Sequence, residues 1–528
     1  MGAMLIAGIA LTGALFVANL LLGDVNQDEG WYLYAARLVS QGRLPYVDFA
    51  STQGPVMPFV YAAAMPLVDR WGVAGGRVFT ALLGLLATAG SVVLSARLTP
   101  RPWRTAAAAL ALAFAGVNVY QTYFLAVVKT YALTAALLTG GYLLLSSARG
   151  RGGAARAFAA GALMALAAGT RLSAAFALPA PFLWLAWQAR RRDAGAGGGV
   201  DLRWLAFGGG AALTAAAVFG PFAFTAPRAL WFALVEYHTG REVGGVAARL
   251  AYKAGFVSRC VAAYGAAAAA AAAAALYAWL QPGGRKNGGP ATGAEPGFEG
   301  AVWGSVGLVT VIHALAPFPY DDYQVFVYPL LAAALAARVV RLAAAGGGRR
   351  VQWAVGAAGA ACVLAAGASP MAWQWAIGER DRIWWPLREQ SPLARLQEAG
   401  RWVREAADER GGGGLLTQDT YLAVEAGLAV PEGMELGPFC YFPDWTDEKA
   451  RACHVLNRKL MALALAQSDA PVAAFSGYGL AIRCPEVTAL PPEEQAALWA
   501  AVRQRYTEAR EVDHFGQAST KLVILTPK

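Results

Sequence analysis

The sequence predicts a mainly α protein: a polytopic membrane domain of about eleven transmembrane helices over residues 1–370, then an exported α/β domain over residues 371–528. Three observations carry this reading. Apolar residues make up 57% of the 528-residue chain and charged residues only 15%, whereas soluble domains carry roughly a quarter charged residues. The mean hydropathy is +0.41. The net charge of +10 is unevenly spread: residues 1–370 hold 27 Lys/Arg against 13 Asp/Glu, and residues 371–528 hold 17 against 21. The basic excess lies between apolar stretches rather than on one soluble face. Disorder, a purely soluble enzyme and a nucleic-acid partner are excluded.

A helix needs about 20 apolar residues to cross the hydrocarbon layer. Eleven stretches fit, some of them short: 3–22, 73–95, 105–121, 126–146, 157–171, 172–188, 204–226, 257–280, 301–318, 325–342 and 351–370. The first has no basic leading segment and no small-residue cleavage pattern before Gly23, so it reads as a retained span rather than a signal peptide. With a cytoplasmic N-terminus, one set of connections carries sixteen basic residues, between Arg97 and Arg350, against four acids. The other set carries nine acids: Asp24, Asp28, Glu29, Asp48, Asp69, Glu236, Glu242, Asp321 and Asp322. Positive loops stay inside, which puts the acidic loops and the C-terminal domain on the periplasmic or extracellular side of a cell membrane. The Gly-rich stretch 281–300 reads as a flexible cytoplasmic loop.

Ionisable side chains inside spans are costly and therefore informative. Here they are Arg77, Lys129, Arg171, Arg259 and His313, and in this topology each lies toward the outer end of its span. Snorkelling explains any one of them. Five on one side point instead to chemistry at the outer face. A transporter needs polar groups near the midplane.

Residues 24–72 form a long outer loop within a catalytic segment spanning 23–72. Trp31, Tyr34, Ala35 and Leu38 fall at helical spacing, which predicts an amphipathic helix along the interface, ended by Gly42 and Pro45. Asp28 and Glu29 precede it, and 55–68 is a second apolar stretch too short to span. An Asp-Glu pair after the first span, an interfacial helix, a Gly-x-x-Pro-Tyr turn and a Gly-Pro before a second amphipathic segment resemble the GT-C membrane glycosyltransferases. The nearest groups are the protein O-mannosyltransferases and the lipid A aminoarabinose transferases. The resemblance implies a GT-C-like membrane domain, a polyprenyl-phosphate sugar as donor, transfer at the non-cytoplasmic face, and Asp28 as the catalytic base.

Such transfer needs a base for the acceptor hydroxyl, cations for the departing phosphate and an apolar groove for the lipid. A phosphate leaves as a stable anion, so one carboxylate suffices and direct displacement inverts the anomeric centre. Glu29 is expected to orient Asp28 or the acceptor, while helix capping is the competing reading for both acids. Arg171, in AAGTRLSAA, is the first choice for the phosphate because a guanidinium offers it a flat fork. Lys129 and Arg259 follow. Relatives often carry an acid near position 129, so Lys129 is a departure that puts a second catalytic carboxylate from that loop in doubt. Tyr120 and Tyr123 precede it. Glu236, His238 and Arg241 share WFALVEYHTGREVGG, and Asp322 and Tyr323 lie in PYDDYQVFVYP; all are expected to contact donor or acceptor.

Beyond Pro370 the long apolar runs stop. Helices are expected at 392–410, 419–428 and 492–507, and strands at 415–418, 471–479 and 521–527. Cys440, Cys453 and Cys484 leave room for one disulfide. No His/Cys/Asp set has metal-ligand spacing. No cofactor is expected beyond the lipid-linked sugar as co-substrate, with a metal requirement left open. The partners are membrane lipids and an acceptor that is a protein, a lipid or a polysaccharide. A lipid or polysaccharide flippase and a non-catalytic scaffold are the alternatives.

Overall fold

The computed structural model describes residues 2–193, 201–240, 244–280, 295–368, 390–517 and 519–528. Apolar runs that meet lipid must satisfy their own backbone groups, and here they do so as helices. Six described helices are long and apolar enough to cross a membrane: Gly2–Leu22, Val73–Arg97, Gly153–Thr170, Leu172–Arg192, Arg203–Thr225 and Phe298–Leu315. A bent pair, Val246–Ala263 and Gly265–Leu280, makes a seventh if counted as one span. Thr130–Ser146 is a shorter apolar helix, and Tyr328–Ala344 and Gly348–Gly367 are two further helices of the bundle.

Three expected spans are built differently. Residues 105–121 divide into Arg104–Gly116 and Val119–Phe124, because Asn118 accepts from the Gln121 N–H at 2.9 Å and starts a new helix. Residues 172–188 open as a tight 3-10 turn, Leu172–Ala177, before the helix Pro179–Asp193. Residues 257–280 do not run straight: the chain bends by 92° beside Tyr264. Tyr264 stacks on Tyr328 at 3.9 Å and donates to Gln121 Oε1 at 2.9 Å, which pins the corner. The alanine run there fits a straight or a bent helix equally and gave no sign of the break.

The first loop carries its expected helix, Gln27–Ser40, started by Asn26. The stretch after Pro55 forms two short helices, Val56–Ala62 and Met65–Trp71. At the C-terminus, strands β1 (Leu415–Leu416), β2 (Val472–Phe475), β3 (Ile482–Arg483), β4 (Thr488–Ala489), β5 (Tyr506–Phe515) and β6 (Thr520–Pro527) form two sheets. The larger has the order β1-β2-β6-β5, with β1 and β2 parallel and the other pairs antiparallel. Helices Pro392–Asp408, Thr420–Ala426 and Pro492–Arg505 lie where the sequence placed them. Cys440, Cys453 and Cys484 are buried, and no disulfide joins them to one another.

The first loop and the C-terminal α/β region share one hydrophobic core, in which Trp31, Leu33, Leu38 and Tyr61 join Leu422, Met434, Phe442 and Leu525. Polar contacts fix the junction. Arg37 donates to the Val424 carbonyl at 2.9 Å, the Val430 N–H to Tyr34 Oη at 2.9 Å, and the Gln27 N–H to Gln517 Oε1 at 2.8 Å. At Gly30 a Cβ would sit 2.3 Å from the Tyr421 nitrogen, so only glycine lets helices Gln27–Ser40 and Thr420–Ala426 approach so closely. A second core fills the helical bundle.

Candidate active site

The five ionisable residues singled out in the spans gather around two pieces of chain, the start of helix Gln27–Ser40 and the turn Asp321–Gln324. Lys129 caps the N-terminus of helix Thr130–Ser146 in extended backbone. Its Nζ stands 3.0 Å from Asp28 Oδ2 and 3.0 Å from Asp322 Oδ2, bridging the two carboxylates. The rings of Phe124 and Tyr131 flank it at 5.4 and 5.5 Å. Asp28 is the more open of the two acids, with a quarter of its side chain (25%) exposed against 15% for Asp322. Burial pushes the Asp322 carboxyl up, but Lys129 and then Arg171 outweigh it and hold it below the usual carboxylate range.

Arg171 follows the last turn of helix Gly153–Thr170. Its guanidinium lies over Tyr323 at 4.5 Å and Tyr131 at 4.9 Å, and Nη1 donates to Thr130 Oγ1 at 3.3 Å. Its Nε is buried and has no hydrogen-bond partner. Buried donors are rarely left unpaired, and each such group asks for an explanation. His313 stands in the next layer, with Ser173 Oγ at 3.0 Å and Gln324 Nε2 at 3.1 Å from its two nitrogens.

The other expected residues divide. Arg259 pairs with Asp321 at 2.8 Å, and Tyr120 donates to the same carboxylate at 2.5 Å, one residue along the chain from Asp322. Tyr123 is buried beneath the first loop and donates to the Asp24 carbonyl at 3.3 Å. Glu236 engages Lys449 of the C-terminal region at 3.3 Å, and His238 meets the Thr52 carbonyl at 2.8 Å, so these two tie the α/β region and the first loop together rather than touching Lys129 or Arg171. Arg241 falls outside the described residues. Glu29 faces away from the cluster, fully buried against Arg77, and completes a capping box with Asn26. Sequence reasoning passed over Tyr131, which contacts both cations. Its place two residues after Lys129 in KTY was the available signal. Among the described residues no three His, Cys, Asp or Glu side chains converge to hold a metal ion.

No protein-family model and no curated protein matches the chain. Solved structures do. ArnT from Cupriavidus metallidurans bound to undecaprenyl phosphate superposes with a TM-score of 0.57 at 12% identity, covering 98% of this chain and 97% of that one. Its apo form gives 0.52 at 16% identity, with the same coverage. The chain shares the fold of ArnT, a GT-C membrane glycosyltransferase. An oligosaccharyltransferase of Archaeoglobus fulgidus, solved with zinc and sulfate, gives a TM-score of 0.45 at 14% identity over 97% of this chain and 72% of that one. With its run of apolar helices and its ArnT-like fold, the chain is a multi-pass membrane protein.

Proposed function

We propose that the protein transfers a monosaccharide from a polyprenyl-phosphate donor to an acceptor hydroxyl at the outer face of the membrane. The observation that carries this reading is the Asp28–Lys129–Asp322 bridge beside an Arg171 whose Nε–H is unspent. A base, its paired Lys129 and an Arg171 that flanks the same Tyr131 ring are the groups that the reaction requires. The neighbouring ArnT structure holds undecaprenyl phosphate, which supports a donor of this class.

In this mechanism the donor phosphate takes hydrogen bonds from Arg171 and draws Lys129 toward itself. Asp322 keeps hold of the ammonium while Asp28 is released from it. The acceptor oxygen then attacks the anomeric carbon as its proton passes to Asp28. The carbon–oxygen bond to the phosphate breaks, polyprenyl phosphate departs, and the configuration inverts. Residues 1–370 hold the chemistry, and residues 371–528 cover it from the same side of the membrane. The acceptor is a protein, lipid or polysaccharide hydroxyl.

The test is transfer by purified protein offered a panel of polyprenyl-phosphate monosaccharides with membrane extract, wild type against Asp28→Asn. Loss of a general base costs about 100- to 10,000-fold. Equal transfer by both proteins removes Asp28 from this role. Failure of the wild type to bind undecaprenyl phosphate removes the donor class.

A further inference from the structure

Charge pairs sealed from water are expensive and add little net stability, since apolar residues of like volume often do as well. The pair Arg77–Glu29 is such a case: neither side chain is exposed at all. Yet it is saturated. Arg77 Nε and Nη2 donate to the two Glu29 oxygens at 2.8 and 2.6 Å. Its Nη1 donates to the carbonyls of Leu20 and Gly23 at 3.2 and 3.0 Å, and Nη2 also to that of Asp24 at 2.7 Å. Glu29 spends its remaining capacity on two backbone amides, Asn26 at 2.9 Å and Val128 at 3.1 Å.

Those bonds fall beside the chemistry. Glu29 is the residue after Asp28, and Val128 is the residue before Lys129. One buried carboxylate therefore fixes the backbone under both the base and its cation, although they are 101 positions apart in the chain (Asp28 and Lys129). Arg77 holds that carboxylate and also the chain from Leu20 to Asp24 that leads into it. We propose that Arg77 and Glu29 are positioning residues that set the separation of Asp28 and Lys129. The pair never touches substrate. This rests on the reading of Asp28 and Lys129 given above.

A glutamine at position 29 keeps the shape but offers one carbonyl oxygen where four donors converge. A lysine at position 77 keeps the charge but has three donors in place of five. Misplacing a reacting group by about 1 Å costs on the order of 100-fold in rate, so Glu29→Gln is expected to lower turnover by about that factor. The experiment is a pair of double-mutant cycles on the full-length protein in detergent. In the first, Glu29→Gln is added to wild type and to Asp28→Asn, and turnover is read with the active donor. A clamp acting through Asp28 gives a large loss in the first background and almost none in the second. In the other cycle, affinity for undecaprenyl phosphate is read with and without Lys129→Met. Glu29→Gln is expected to weaken binding roughly 10-fold in wild type and not further in the Lys129→Met background. Arg77→Lys should repeat both patterns and stands in if Glu29→Gln does not fold.

Additive losses in both cycles, or no loss, overturn the clamp and leave the donor reading standing. A pair whose every variant fails to fold is a folding element, which overturns it as well. A wild type that binds no undecaprenyl phosphate overturns the donor reading, and the clamp with it.

Discussion

Two ionic networks sit at opposite ends of the same helices, and they are spent to different degrees. Beyond the C-terminal end of helix Thr130–Ser146, Arg203 donates to Asp201, to both oxygens of Glu295 and to the Ala148 carbonyl, with Arg192 and Arg149 closing the ring. At the N-terminal end of that helix, Lys129 is shared by two carboxylates, and the Nε–H of Arg171 has nothing to bind. Asp201, Arg203 and Glu295 in the first and Lys129 and Asp322 in the second are largely buried. What separates them is unspent hydrogen-bonding capacity: the ionic groups of the first are paired with one another, whereas the second keeps a buried Arg171 Nε–H and a buried Asp322 Oδ1 without partners. Buried charge alone does not locate chemistry. An unpaired buried charge such as the Arg171 guanidinium nitrogen is a different matter, because it costs free energy that a ligand can recover.

That contrast can be broken by experiment. Arg171→Met should lower transfer by about 100- to 1,000-fold, as loss of one preorganised donor to a developing anion does. Its thermal stability should change little. An equal loss of stability and activity would mean that Arg171 is structural. Arg203→Met should do the reverse, costing about 3 kcal/mol by stranding Asp201 and Glu295. Protein that remains folded should turn over normally, and a specific fall in kcat would show the far network to be coupled to the site.

The prediction with the smallest expected effect on transfer concerns a carboxylate outside both networks. Glu435 is buried in the C-terminal region and accepts from the Gly433 N–H at 2.8 Å, and burial pushes its pKa up to about 7. A group whose folded pKa is raised stabilises the fold fully below its ordinary value of 4.5 and loses that contribution as pH rises toward 7. Thermal melts of the full-length protein should therefore fall between pH 4.5 and pH 7, by about 1.4 kcal/mol for each pH unit crossed in that window. Glu435→Gln should flatten that slope; an unchanged slope would assign it to other groups.

Much of this was legible in the sequence. Trp31, Tyr34 and Leu38 announced helix Gln27–Ser40 by their spacing, and the in-span cations named the end of the bundle where the cluster forms. Their partners were not legible, since Lys129 and Asp322 lie 193 positions apart and periodicity carries no information on such pairing. Arg77 drew notice only as a costly residue; its fork on Glu29 is a matter of three dimensions. Strand β5 was missed because Tyr506–Phe515 is mostly charged and exposed, with only Tyr506, Val512 and Phe515 turned inward across two bulges. Two-residue alternation is lost where a bulge shifts the register.

The contact of Gly30 with Tyr421 has a consequence for biogenesis. The first loop leaves the ribosome early, whereas the residues that cover its apolar side are made near the end of translation. Pairings so distant in sequence form late. The loop must wait, with Trp31 and Leu38 unprotected, until the last section of the chain arrives. A prematurely terminated product would thus leave Trp31 and Leu38 bare, an exposed apolar surface of the kind that quality control recognises.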